Sequence, residues 1–94
     1  MRTEKAQVEF EKLINKYSFT IAARTSDSGI PVYHRVWSRE NETLEIRILL
    51  SGEYPLMKVR RNGVPDPKFI RDYQNPKSAF DTIRKIITAA GFEI

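Results

Sequence analysis

Residues 29–50, GIPVYHRVWSRENETLEIRILL, alternate in character almost without a break. Alternation at a period of two sends successive side chains to opposite faces of a strand. The stretch therefore reads as two β-strands joined by a polar turn at residues 39–43. In the first strand Ile30, Val32, His34 and Val36 share one parity, and Tyr33, Arg35 and Trp37 share the other. In the second, Leu44, Ile46, Ile48 and Leu50 share a parity, opposed by Glu45, Arg47 and Leu49. The expectation is an antiparallel sheet with one aliphatic face and one aromatic, cationic face. His34, the sole histidine, falls by parity on the aliphatic side, where a hydrogen-bonded core or rim role is expected for it.

Upstream, residues 3–17 have a helical pattern. Ala6, Phe10, Leu13, Ile14 and Tyr17 recur at helical spacing, Thr3 is placed to cap, and Glu4 suits the positive end of the dipole. Val8 lies off this stripe. Residues 18–25 read as a strand, with Phe19, Ile21 and Ala23 on one side and Thr20, Ala22 and Arg24 on the other. Residues 25–29, TSDSG, form a turn cluster.

Downstream, residues 51–55 interrupt the sheet and residues 54–61 resume it. Met57 and Val59 oppose Leu56, Lys58 and Arg60, and Asn62-Gly63 is a two-residue hairpin signal. Pro65 and Pro67 exclude a central strand over residues 64–73, which leaves an irregular edge strand or a loop. A last helix is expected over residues 76–90. Either Asn75 caps it ahead of Pro76, or Ser78 caps with Asp81 three residues on. Gly91 suits the position just past its end, and Phe92 stands where a Schellman motif wants an apolar contact.

The expected fold is α+β with two layers, in the order α-β-β-β(-β)-α. Both helices would pack on the aliphatic face of one antiparallel sheet, within a single domain spanning residues 1–94. A chain of 94 residues is one domain by size. There is no cysteine, hence no disulfide framework, thiolate metal site or thiol nucleophile. With a single histidine and no glycine-rich phosphate loop, neither a cofactor nor catalysis is expected. No apolar run approaches the ~18–20 residues that cross a bilayer, and the charged start is unlike a signal peptide. A soluble, cytoplasmic protein without membrane association is the expectation.

The formal charge of +4 is concentrated. Residues 54–77 hold Lys58, Arg60, Arg61, Lys68, Arg71 and Lys77 against Asp66 and Asp72. A localised basic field favours a polyanionic partner, although it also guards a sheet edge. The uncovered face is expected to present Thr20, Ala22, Arg24, Tyr33, Arg35, Trp37, Glu45, Arg47, Lys58 and Arg60. Guanidinium and ammonium groups neutralise phosphates, and aromatic rings stack on bases. The candidate nucleic-acid contacts are thus Arg24, Tyr33, Arg35, Trp37, Arg47, Lys58, Arg60, Arg61, Lys68 and Lys77. The alternative is a protein-interaction or homodimer module whose Tyr33/Trp37 face a partner buries.

Two resemblances lean the same way. The order helix, strands, helix is similar to that of double-stranded-RNA-binding domains. Residues 29–34, GIPVYH, loosely resemble that family's glycine-proline-x-histidine loop, and Lys77 stands where its lysine cluster begins. Residues 54–87 look like the strand, turn, strand, helix pattern of AP2-type DNA-binding domains, with Lys58, Arg60 and Arg61 as the strand cations. Both resemblances imply nucleic-acid binding, and neither rests on a specific motif.

Overall fold

The computed structural model describes residues 2–52 and 54–93, with the backbone alone for residues 2 and 3. Its elements are α1 (Arg2–Lys16), β1 (Thr20–Arg24), β2 (Pro31–Arg39), β3 (Glu42–Ser51), β4 (Tyr54–Arg61), β5 (Val64–Pro65), β6 (Arg71–Asp72) and α2 (Pro76–Ala89). One turn of 3-10 helix, Pro67–Phe69, separates β5 from β6. The strands form one antiparallel sheet in the order β1-β2-β3-β4-β5, and β6 also pairs with β4. Both helices lie against one face of it, so the architecture is the two-layer α+β arrangement expected from the sequence.

Short turns fix the register. Arg39 pairs with Glu42, so only Glu40 and Asn41 separate β2 from β3. Arg61 pairs with Val64 across Asn62 and Gly63, which take φ of 54° and 80°. Both residues of that turn have the positive φ of a type I′ hairpin, whose twist matches the flanking strands. The last segment before α2 is both of the things the prolines allowed. Its two ends make two-residue ladders with Arg60–Arg61 and Leu56–Met57 of β4, and the turn of 3-10 helix between them is capped by Asp66, which accepts from the Lys68 N–H at 3.1 Å.

The core is a single cluster. Leu44, Ile46, Ile48 and Leu50 of β3 and Met57 and Val59 of β4 supply the sheet side. Ala6, Phe10 and Ile14 of α1 and Ala79, Phe80, Ile83, Ile86 and Ile87 of α2 supply the other. Phe80 ties α2 to α1 and to the segment that leads into β1, with ring centroids 6.2 Å from Phe10, 5.2 Å from Tyr17 and 5.7 Å from Phe19. Each fully buried side chain of this size contributes roughly 1.5–3 kcal/mol of transfer free energy. Val8 is 52% exposed, off the α1 stripe as its spacing requires.

The helix ends follow local chemistry. Asn75 caps α2, accepting from the Ser78 N–H at 2.8 Å, while Ser78 returns the contact to the Asn75 N–H in a capping box. At the other end Phe92 N–H donates to Ile87 C=O and Gly91 N–H to Thr88 C=O, both at 3.0 Å, with Gly91 at φ 83°. That is the Schellman pattern the Gly91-Phe92 pair predicts. α1 ends in the same motif without a glycine: Phe19 N–H donates to Ile14 C=O and Ser18 N–H to Asn15 C=O, with Ser18 at φ 58°. α1 already includes Arg2, ahead of the expected start. The expected Thr3 cap falls on a side chain outside the described residues.

The parity of β2 is the main correction. Tyr33 pairs with Ile48, Arg35 with Ile46 and Trp37 with Leu44, so these three share the core-facing side. Trp37 is 6% exposed, and Tyr33 packs edge-on against Phe10 at 5.7 Å. Val32, His34 and Val36 take the uncovered side instead. A two-residue turn places odd residues of β2 beside even residues of β3; one more loop residue would reverse that. The two rings also carry far more burial than Val32 and Val36 do.

Arg35 is accommodated on the core side at the rim, where its Nη1 donates to Tyr17 C=O at 2.8 Å and its guanidinium stacks 4.6 Å from the Trp37 ring. Arg39 acts alike on the second helix, donating to Gly91 C=O at 2.9 Å and Ala90 C=O at 3.3 Å. Two arginines of β2 thus bring positive charge to the C-terminal ends of both helices, where the dipole is negative. α2 has no basic residue in its own last turn.

Candidate functional site: the uncovered sheet face

The register assembles the uncovered face row by row. His34 pairs with Thr20 on one side and Arg47 on the other, and Arg47 pairs with Lys58. One row along, Val36 pairs with Glu45, Glu45 with Arg60, and Arg60 with Pro65. One row the other way, Leu49 pairs with Leu56, and Leu56 with Asp72. Val32 has the same parity as His34 and completes that row. The face therefore divides into an aliphatic end, with the exposed Asp72 at its outer edge, and a charged end.

At the charged end Glu45 is the hub. Its Oε2 lies 3.2 Å from His34 Nδ1 and accepts from Arg47 Nε, also at 3.2 Å. Burial alone raises the Glu45 carboxyl, but the hydrogen bonds from His34 and Arg47 and the nearby positive charge outweigh it and hold the group below its ordinary value of 4.5. Lys58 and Arg60 are exposed and make no ion pair among the described residues. Arg47 engages Glu45 through Nε, and its side chain is 41% exposed.

Of the residues the sequence nominated, Arg47, Lys58 and Arg60 come together here. Tyr33, Arg35 and Trp37 lie on the opposite side and belong to the core and its rim, so the expected aromatic, cationic face does not form. Arg24 also leaves the face. A bulge between Ile21 and Ala23 breaks the alternation of β1, putting Thr20 and Ala23 on the uncovered side, and Arg24 Nη1 donates to Gly29 C=O at 3.1 Å.

Arg61 has core-facing parity at the margin of the helix layer, beside the C-terminal end of α2. There it lines a polar cleft of about 300 Å³ with Arg39, Glu42 and Phe92. Lys68 sits on the 3-10 turn with its ammonium 5.4 Å from the Phe69 ring centroid, and Arg71 lies 4.8 Å from that of Tyr73. Lys77 is in the first turn of α2, beside Lys5 and Gln74 on the helix layer. The six cations of residues 54–77 thus scatter over both layers rather than forming one patch.

Sequence reasoning missed Val32, His34 and Val36 of β2 as residues of the uncovered side, while it placed Leu49 and Leu56 there by parity. The signal for the β2 residues was the length of the turn at Glu40 and Asn41. The rival in which a partner chain buries Tyr33 and Trp37 also loses its patch, because the chain's own helix layer covers it. Among the described residues no three His, Asp or Glu side chains converge as a metal site requires. No described helix is long and apolar enough to cross a membrane. No protein-family profile, curated protein or solved structure matches the chain.

Proposed function

We propose that this chain is a non-catalytic domain that binds nucleic acid through the uncovered face of its sheet, with Arg47, Lys58 and Arg60 set against phosphates. The observation that carries the reading is the juxtaposition of these three cations on β3 and β4, two of them without an acidic partner among the described residues. Exposed cations in this setting neutralise phosphates and release counterions. The charge of +4 on 94 residues favours approach by a polyanion.

The test is fluorescence anisotropy of end-labelled DNA and RNA oligonucleotides over a series of salt concentrations. Trp37 is no direct reporter, since it lies beneath the other face. Binding should weaken steeply with salt. A Lys58→Ala/Arg60→Ala variant should stay folded and reduce the slope of log K against log salt by about 1.4–1.8, for two lost phosphate contacts. Absence of binding at low salt, or an unchanged slope, refutes the assignment.

A further inference from the structure

We infer that the aliphatic end of the same face receives an unpaired nucleobase, which makes the polyanion a single strand. This rests on the reading above and adds a site to it. Val32, Leu49 and Leu56 are half-buried although no helix covers them, and they floor a hollow of about 220 Å³. Arg47 and Lys58 stand on one side of it and Thr25 on another. Tyr54, two residues before Leu56 on the same parity and 51% exposed, extends the strip.

The hollow is smaller than the ~300–1,000 Å³ of pockets that take drug-sized ligands. It suits one flat ring with an anionic group held at its edge. A nucleotide has that form: an apolar base face to lie on the aliphatic floor, and a phosphate within reach of Arg47 and Lys58.

Size separates single strand from duplex. Strands stand about 4.8 Å apart, so the five strand positions of this sheet span roughly 19 Å. The major groove is about 12 Å wide. The face cannot enter it, and a duplex laid across the sheet would touch the cations while leaving the aliphatic floor uncovered. A single strand offers both its phosphates and the faces of its bases. A second copy of the chain fits less well. The few half-exposed side chains of the strip fall short of the ~800 Å² per partner of a stable interface. Enlarging the contact would bring the Arg47, Lys58 and Arg60 of each copy toward a face that offers only Glu45, already engaged, and Asp72 in return.

The test compares three ligands of one sequence on the whole chain: a single-stranded oligonucleotide in deoxy and ribo forms, its duplex, and an abasic strand with the same phosphates. The intact single strand should bind about tenfold more tightly than the abasic strand or the duplex, the effect of one base removing roughly 55 Å² of apolar surface from water. A Leu49→Ser/Leu56→Ser variant, whose charges are unchanged, should lose that tenfold preference and keep the salt slope.

The base site is overturned if abasic and intact strands bind the unaltered protein equally, or if duplex binds as well as single strand. In either case salt-dependent binding would leave the phosphate reading standing. Absence of all nucleic-acid binding overturns both. So does a concentration-dependent dimer, measured by sedimentation without ligand, that the Leu49→Ser/Leu56→Ser change dissolves. Should that variant unfold, the comparison of abasic and intact strands on the unaltered protein decides the matter alone.

Discussion

Replacing Glu45 by Gln separates what the charged row does for folding from what it does for binding. The carboxylate is 20% exposed and one of its oxygens serves both His34 and Arg47. Gln keeps the size and one acceptor but loses the charge. Partners with solvent-facing ends discount the gain, so the expected loss of stability near pH 7 is about 1 kcal/mol. For a chain of 94 residues that is a shift of about 0.5 M in the urea midpoint, with m near 2 kcal/mol/M.

The sign of the pH dependence follows from the lowered Glu45 value. A group whose folded pKa is depressed contributes stability that is fully present above its unfolded value and lost as pH falls through the folded one. The gap between the native chain and Glu45→Gln should therefore close as the pH is taken below the ordinary value of 4.5. Binding should move the other way. Removing the one acid of the row frees Arg47, so affinity for nucleic acid should rise and the salt slope should steepen by about 0.7–0.9. Urea titrations by circular dichroism across pH, with anisotropy titrations beside them, measure both. A stability gap that persists in acid, or an affinity that falls together with stability, refutes the reasoning.

Two further substitutions test the fold itself. Trp37→Ala should cost about 3–5 kcal/mol, since it empties a buried ring site, whereas Val36→Ala, its exposed neighbour on β2, should stay within about 0.5 kcal/mol; equal effects would contradict the register. Ser18→Gly should stabilise the chain by about 0.5–1 kcal/mol, read as a rise in melting temperature, because Ser18 holds φ 58° at the end of α1; a fall would show that its side chain is needed there.

Most of the layered fold was legible because its signals are local. The aliphatic parity of Leu44, Ile46, Ile48 and Leu50 and the stripe of Phe80, Ile83 and Ile87 each point to one buried side. The caps at Asn75 and Gly91 and the Asn62-Gly63 turn depend only on their neighbours. What failed was relational. β2 offers two plausible parities, and the choice between them rests on whether two or three residues close the turn after Arg39. Ile30, Val32 and Val36 look like a core set until the turn places Trp37 beside Leu44.

Arg35 read as a surface cation and Arg39 as part of a polar turn, because nothing nearby in sequence shows that they reach Tyr17, Ala90 and Gly91. The bulge at Ile21 to Ala23 has no glycine or proline to announce it, and it removed Arg24 from the face. The candidate site was therefore half legible. β3 and β4 kept their cations where the pattern put them, and β2 brought aliphatic residues and a histidine in place of rings.

The split outer edge on β4 also sets how this molecule meets its own kind. Pro65 and Pro67 lack the amide protons a further strand needs, and the two short ladders on either side of the 3-10 turn leave no straight template. At the far side of the sheet β1 has five exposed residues, of which Arg24 is the charged one, and only the kink at Ile21 to Ala23 opposes extension. The sheet is thus a ribbon with one sealed margin and one open margin. Unwanted polymerisation, in a crowded tube or a cell, would begin at Thr20–Arg24.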